Sequence, residues 1–333
     1  MTADEAIQKM VSPSQRRKGI WRDGVLQIWI TRACDKKCFH CTQNSQFGGK
    51  AEFITPEQFE QALDSIEGYF GVVGMFGGNP ALHPKFDLLC DIFCSKFPFE
   101  QRGLWCNHPR GHGKAMQQTF NPAVSNLNVH ESQEAYDEFV RDWPESRKVL
   151  KGLSGDSRHG PPLVAMSDVI ADESERWDLI GNCDINKYWS SMICVFRKEL
   201  RAYFCEIAAS HAMLHQNNPN YNGTGQPIPD TGLPVEKGWW RKSMQDFKDQ
   251  VTLHCHGCGI PLKGYGSLAN SGPHEQVSSL HLPMIKLRDD RQVMHVTSLD
   301  QLGEKHLPKS TDYIENGSLL CLSPESDRLN SWR

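Results

Sequence analysis

Residues 25–31, VLQIWIT, form an almost unbroken apolar run of strand length, and the pattern then changes period. In ITPEQFEQALDSIEGYF the apolar Phe59, Leu63 and Ile66 share one face of a 3.6-residue repeat. Thr55 stands as N-cap, Pro56 at the first helical position and Gln58 as the reciprocal partner of a capping box. The pair then repeats. GVVGMF is a short apolar strand, and HPKFDLLCDIFCSKF is a helix with Phe86, Leu89, Cys90 and Phe93 at helical spacing. RGLWCN, SNLNVHE and PPLVAMSDVI continue the series as further strands. Strand and helix units of this size build a parallel sheet, open or closed into a barrel, so the class is α/β.

Beyond about residue 180 the pattern changes. Met192 to Phe196 and Leu200 to Phe204 pair as short strands across a turn near Lys198, and CEIAASHAMLH enters a helix. NNPNYNGTGQPIPDTGLP is a long loop, WWRKSMQDFKDQV is helical, and HCHGCG closes the region. There is no internal repeat and no low-complexity tract. From about Tyr265 the chain is polar and uninformative.

Composition narrows the class. Of 333 residues 38% are hydrophobic and 23% charged, as in a soluble globular protein, and no apolar run reaches the length of a membrane span. The segment MTADEAIQKMVSPSQRRKGI is too polar for a signal peptide, so the expected location is cytoplasmic. The net charge is -4 and basic residues are scattered apart from groups such as SQRRKG, which argues against a nucleic-acid partner. Twelve cysteines alter the picture more. In a reducing compartment they read as metal ligands or catalytic thiols sooner than as disulfides.

CDKKCFHC, residues 34–41, follows the first strand and holds three thiols, one fewer than a structural zinc or a closed iron-sulfur cluster takes. This C-x3-C-x2-C loop, with MFGGNP at residues 75–80 after the second strand, resembles the signature of the radical S-adenosylmethionine (SAM) superfamily. The resemblance implies a partial (β/α)6 TIM-like barrel over residues 22–180, after an N-terminal extension of residues 1–21. It further implies that Cys34, Cys38 and Cys41 bind three irons of a [4Fe-4S] cluster. The fourth iron is then open to SAM, which is cleaved reductively to a 5′-deoxyadenosyl radical that abstracts hydrogen from substrate.

GGNP resembles the GGEP motif of that family, so Gly77, Gly78, Asn79 and Pro80 are candidate SAM contacts. Asn79 departs from the usual glutamate and keeps an acceptor without its charge, which puts a side-chain role toward the SAM ammonium in doubt. His40 occupies a position where relatives carry a side chain near the adenine; a solvent-facing loop histidine is the plainer reading. Asn107, after the third strand, and His130, Glu131 and Ser132, after the fourth, are softer candidates for cofactor or substrate contacts, beside ordinary capping roles. Cys90 and Cys94 read as core thiols.

A second group, Cys183, Cys194, Cys205, Cys255 and Cys258, falls in residues 181–264, a region similar to the SPASM and twitch extensions of the same superfamily; residues 265–333 form a polar C-terminal segment. The resemblance implies an auxiliary [4Fe-4S] cluster on Cys194, Cys205, Cys255 and Cys258, with Cys183 in place of Cys194 or nearby. A zinc knuckle using His254 or His256 is the alternative there. The expected activity is oxidation or modification of a small-molecule or peptide substrate, fed by a flavodoxin or ferredoxin-type donor. A zinc-stabilised binding protein without redox chemistry is the competing reading. Asp168, Asp172 and Glu206 read as surface carboxylates, and no general base is assigned.

Overall fold

The computed structural model describes residues 1–16, 24–36, 38, 40–45, 52–129, 132–146, 148–149, 160–218, 221, 225–262, 274–285 and 292–302. Among them, six parallel strands lie in one sheet: β1 (Val25–Thr31), β2 (Val72–Gly77), β3 (Arg102–Cys106), β4 (Asn126–Asn128), β5 (Lys148–Val149) and β6 (Ser190–Phe196). Antiparallel β7 (Glu199–Tyr203) and β8 (Leu233–Pro234) extend it, in the order β5-β4-β3-β2-β1-β6-β7-β8. The run at β1 is apolar for a physical reason: parallel neighbours flank it on both sides and all seven positions are buried, so no face needs polar residues.

The connecting helices are α1 (Ala3–Lys9), α2 (Pro56–Ser65), α3 (Phe86–Lys96), α4 (Gly113–Thr119), α5 (Gln133–Asp142), α6 (Met166–Val169), α7 (Glu173–Gly181), α8 (Asp184–Tyr188), α9 (Glu206–His215) and α10 (Lys248–His254). At α2 the capping box forms as read: Gln58 N–H donates to Thr55 Oγ1 at 3.2 Å and Thr55 N–H to Gln58 Oε1 at 3.0 Å. Such a cap contributes about 1 kcal/mol. Phe59 meets Phe93 of α3 edge-on, at 6.0 Å between ring centres. A separate parallel pair, β9 (His274–Ser278) and β10 (Gln292–Val296), completes the described chain.

The strand order departs from a sequential six-unit barrel. β1 to β5 are laid down in order, but the sixth parallel strand pairs with β1 and not with β5, and no pairing among the described residues joins β5 to β8. PPLVAMSDVI is not a strand. Pro161 and Pro162 have no N–H for a ladder, the segment turns into the short α6, and β5 lies earlier, at Lys148–Val149. Cys94 is exposed, on the edge of the α3 face that buries Cys90, and takes a hydrogen bond from Arg102. WWRKSMQDFKDQV forms two 3-10 turns before α10. The β6–β7 hairpin is as read, with Arg197 (φ 48°) and Lys198 (φ 72°) both left-handed, as a tight two-residue turn requires.

Elements on either side of residue 180 share the sheet, and the boundary read at residue 21 lies outside the described residues. β6 continues the sheet past residue 180, and Asn186 clamps the N-terminal segment by bonding Val11 N–H at 2.8 Å and Val11 C=O at 3.0 Å. Within the polar segment after residue 264, the described residues around Ser278 bond to the rest of the chain. Ser278 N–H bonds Leu163 C=O at 3.0 Å, and Ser278 Oγ accepts from Ala165 N–H at 2.8 Å. No helix among the described residues is long and apolar enough to cross a membrane.

Candidate functional site

The cysteine loop leaves the C-terminal end of β1, where side chains project beyond the last ladder bond. Cys34, Cys38 and Cys41 are all half-buried. Burial, with the neighbouring Cys41 second, pushes the Cys34 thiol up to about 11, and burial raises Cys41 as well. Donors nevertheless converge on both sulfurs. Asn107 Nδ2 and Lys36 N–H each reach Cys34 Sγ at 3.4 Å, and the backbone N–H groups of Ser45, Gln43 and Asn44 act on Cys41. Thiols are weak acceptors, so donors gathered around sulfur suit thiolate ligands, whose charge they stabilise.

The GGNP segment packs against this loop from the end of β2. Gly78 N–H bonds Thr31 C=O at 3.0 Å and Asn79 N–H bonds Ala33 C=O at 2.7 Å. A Cβ on Gly78 would lie 2.9 Å from Cys34 Cβ and closer still to the Ala33 carbonyl oxygen. The glycines therefore let two strand ends meet. Asn79 is fully buried. Its Oδ1 accepts from Ala81 N–H at 3.2 Å and from the Cys106 thiol at 3.1 Å, while Nδ2 has no partner. The acceptor of this side chain is thus spent within the fold, and the atom it leaves unpaired is a buried donor. Pro80, also buried, opens the following 3-10 turn.

His40 is buried, which rules out the solvent-facing reading. It adopts φ 50°, and Glu275 Oε1 accepts its backbone N–H at 2.9 Å while standing 3.6 Å from its Nδ1. Arg110 pairs with Asp35, tying the β3 loop to the cysteine loop. Burial opposes the Asp35 charge, but the Arg110 hydrogen bond holds the carboxyl below its ordinary range. Ser132 caps α5, accepting from Ala135 N–H at 3.3 Å; His130 and Glu131 lie outside the described residues.

The second cysteine group resolves into four and one. Cys183, Cys205, Cys255 and Cys258 line one small cavity of about 30 Å³, together with apolar side chains such as Met10, Ile180 and Phe204. Three helix ends deliver them: Cys183 and Cys205 are the N-caps of α8 and α9, and Cys255 is the C-cap of α10. Burial pushes Cys205 up to about 12 and raises Cys255 and Cys258. Against that, the N–H groups of Ala208 and Ile207 act on Cys205 and that of Ile260 on Cys258. Cys194 is elsewhere. It sits on β6 opposite Arg201, among the charges of Arg32 and Glu52, because its strand position faces away from the cavity.

Of the two candidate histidines, His254 lines the cavity with Nδ1 unpartnered, whereas His256 accepts from Arg176 Nε at 3.3 Å and stacks edge-on against Trp177. Among the described residues no three His, Cys, Asp or Glu side chains converge on a single metal-ion position. One zinc ion would draw its sulfurs to about 3.8 Å apart, given Zn–S bonds of about 2.3 Å.

Several site residues carried no sequence signal. Glu275 falls in the polar C-terminal stretch. Glu206, read as a surface carboxylate, is buried and accepts from Trp189 Nε1 and Ser190 Oγ, both at 2.7 Å. Asp172 caps α7, and Asp168 accepts from Leu280 N–H at 2.9 Å. A buried polar chain runs from Asn218 through His215 and His281 to the carbonyl of Gly257, between Cys255 and Cys258, with contacts of 3.2, 2.8 and 2.7 Å. One proton arrangement satisfies it: His281 Nε2–H donates to Gly257, His215 Nε2–H to His281 Nδ1, and Asn218 to His215 Nδ1.

Residues 28–143, from β1 through α5, match the family model described as the Radical SAM superfamily. Among solved structures the chain is similar to BtrN in complex with AdoMet and 2-DOIA, at 11% identity over 74% of this chain and 92% of that one, with a TM-score of 0.40. It is also similar to selenomethionine BtrN in an open conformation, at 10% identity over 75% and 91%, with a TM-score of 0.36. No curated protein matches the chain.

Proposed function

We propose that the chain is a radical SAM enzyme, with Cys34, Cys38 and Cys41 holding a [4Fe-4S] cluster and Cys183, Cys205, Cys255 and Cys258 holding an auxiliary one. When bound, the first cluster and SAM together supply a reductively generated 5′-deoxyadenosyl radical that takes hydrogen from substrate. The observation that carries the reading is the set of N–H donors gathered around Cys34 and Cys41 at the C-terminal end of β1, within the matched segment. Asn107 orients Cys34, and the Gly78 contact fixes where that cysteine leaves the strand. Glu275 and His40 bury the far side of the loop. Apart from its sulfurs, His254 and Asn186, the four-thiol cavity is lined by apolar side chains, which suits an electron-accepting site.

The substrate class we propose is a small molecule or a peptide, oxidised or otherwise modified, with a flavodoxin or ferredoxin-type donor in the cytoplasm. The test is anaerobic reconstitution with iron and sulfide, then dithionite and SAM, with 5′-deoxyadenosine as the readout. Wild type is expected to form it and Cys38→Ala is expected not to. Colourless protein that retains only zinc after careful oxygen-free handling would overturn the reading.

A further inference from the structure

Arg16 is 1% exposed, one of the largest fully buried side chains of the molecule. Its Nη1 donates to Trp189 C=O at 3.1 Å and Ser191 Oγ at 3.2 Å, its Nη2 donates to Phe204 C=O, and Nε has no partner. Among the described residues no carboxylate lies within ion-pair distance of it. Glu206 is nearby and its charge offsets part of that of Arg16, although it lies beyond ion-pair distance and its Oε2 accepts from Trp189 and Ser190. A buried guanidinium without a contacting carboxylate is costly. Neutral acceptors alone do not offset that cost.

The compensation lies beside it. Phe204, which Arg16 bonds, lines the four-thiol cavity and immediately precedes Cys205. Cys205 and Cys183 lie close enough that negative charge on either would stabilise the Arg16 cation, as Glu206 does. As free buried thiols these cysteines are neutral; as cluster ligands they are thiolates and part of a net negative assembly.

Resting on the auxiliary-cluster reading above, we propose that Arg16 is the built-in counter-cation of the auxiliary cluster and sets its reduction potential. One electron entering the cluster adds one negative charge, and a fixed buried cation nearby favours that reduced state over the oxidised one. Arg16 is a positioning and tuning residue, contributed by the N-terminal segment, and need not touch substrate.

The experiment is an EPR-monitored potentiometric titration with dithionite as the electron source, in a Cys34→Ala/Cys38→Ala/Cys41→Ala background that leaves only the auxiliary site. About four irons per chain are expected there. Arg16→Gln should lower the reduced-to-oxidised ratio at fixed potential at least tenfold, a shift of about 59 mV for one electron. Arg16→Lys should keep most of the wild-type potential. Ser191→Asp gives Arg16 a carboxylate without removing it and should shift the potential in the same direction as Arg16→Gln, so the proposal stands testable even if Arg16→Gln fails to fold. Full iron with an unmoved midpoint in Arg16→Gln, or in Ser191→Asp where Arg16→Gln does not fold, overturns this inference alone. Absence of iron from the triple-alanine background overturns the auxiliary-cluster reading and the inference with it.

Discussion

Glu275, in a strand near the C-terminal end of the described chain, accepts the backbone N–H of His40 in the cysteine loop at 2.9 Å, with both residues buried. The bond spans 235 residues of sequence and holds a loop residue in a left-handed conformation. Glu275→Ala leaves a buried donor unmatched and is expected to cost about 1–3 kcal/mol. Glu275→Gln keeps an acceptor and is expected to retain most of that stability. Urea unfolding of the two variants, with iron content after reconstitution, checks the ranking.

The placement of the second cysteine group gives a direct contrast. Cys183→Ala, Cys205→Ala, Cys255→Ala and Cys258→Ala are each expected to lower reconstituted iron by about one four-iron complement. Cys194→Ala, on β6 and away from the cavity, is expected to leave iron content at the wild-type value. Iron and acid-labile sulfide assays on the five variants decide between the two assignments.

Two glycines separate close packing from backbone strain. Gly78→Ala puts a methyl group against Cys34 Cβ and the Ala33 carbonyl, neither of which can yield without moving the cysteine loop, and is expected to cost about 3 kcal/mol and impair iron loading. Gly111 has φ +85° but open space around it, so Gly111→Ala is expected to cost only about 1 kcal/mol with iron loading intact. Thermal melts beside iron assays test both halves.

The buried histidines predict acid sensitivity. Burial lowers His211 and His215 below their ordinary range, and brings His281 down to about 4 despite partial offset by the Gly257 carbonyl and Asp168. A group with a depressed folded value is neutral in the fold while the unfolded chain takes up its proton first. Stability is therefore full above about pH 6.5 and falls as pH drops below it. Each histidine contributes a loss of roughly 1.4 kcal/mol per pH unit in that window, down to about pH 4 for His281. Denaturation midpoints from pH 7.5 to 5 should show the fall, and His215→Gln should reduce its slope by about one proton.

The first two strand and helix units and the next two strands were legible because each signal was local. An apolar run, a capping box and a 3.6-residue period need no knowledge of distant chain, and Thr55, Gln58, Phe59 and Phe86 sit as their spacing dictates. Position in the sheet was not legible. Nothing in SSMICVF states that it pairs with β1, and that pairing decides that Cys194 lies among Arg32 and Glu52 instead of with the other cysteines. Glu275 and Arg16 were silent for a related reason. A lone charge in a polar stretch carries no period, and its meaning comes from partners more than 170 residues away.

α9 begins at Cys205 and is buried at all ten positions, and at its fifth residue Ser210 accepts from Asn44 Nδ2 at 2.7 Å. Asn44 lies three residues beyond Cys41, and about 7.5 Å of helical rise separates Ser210 from Cys205. A rod packed on every side can neither bend nor rotate by itself. An axial shift at its Cys205 end is therefore expected to be felt at Asn44 through Ser210, which makes α9 a strut between the two cysteine groups.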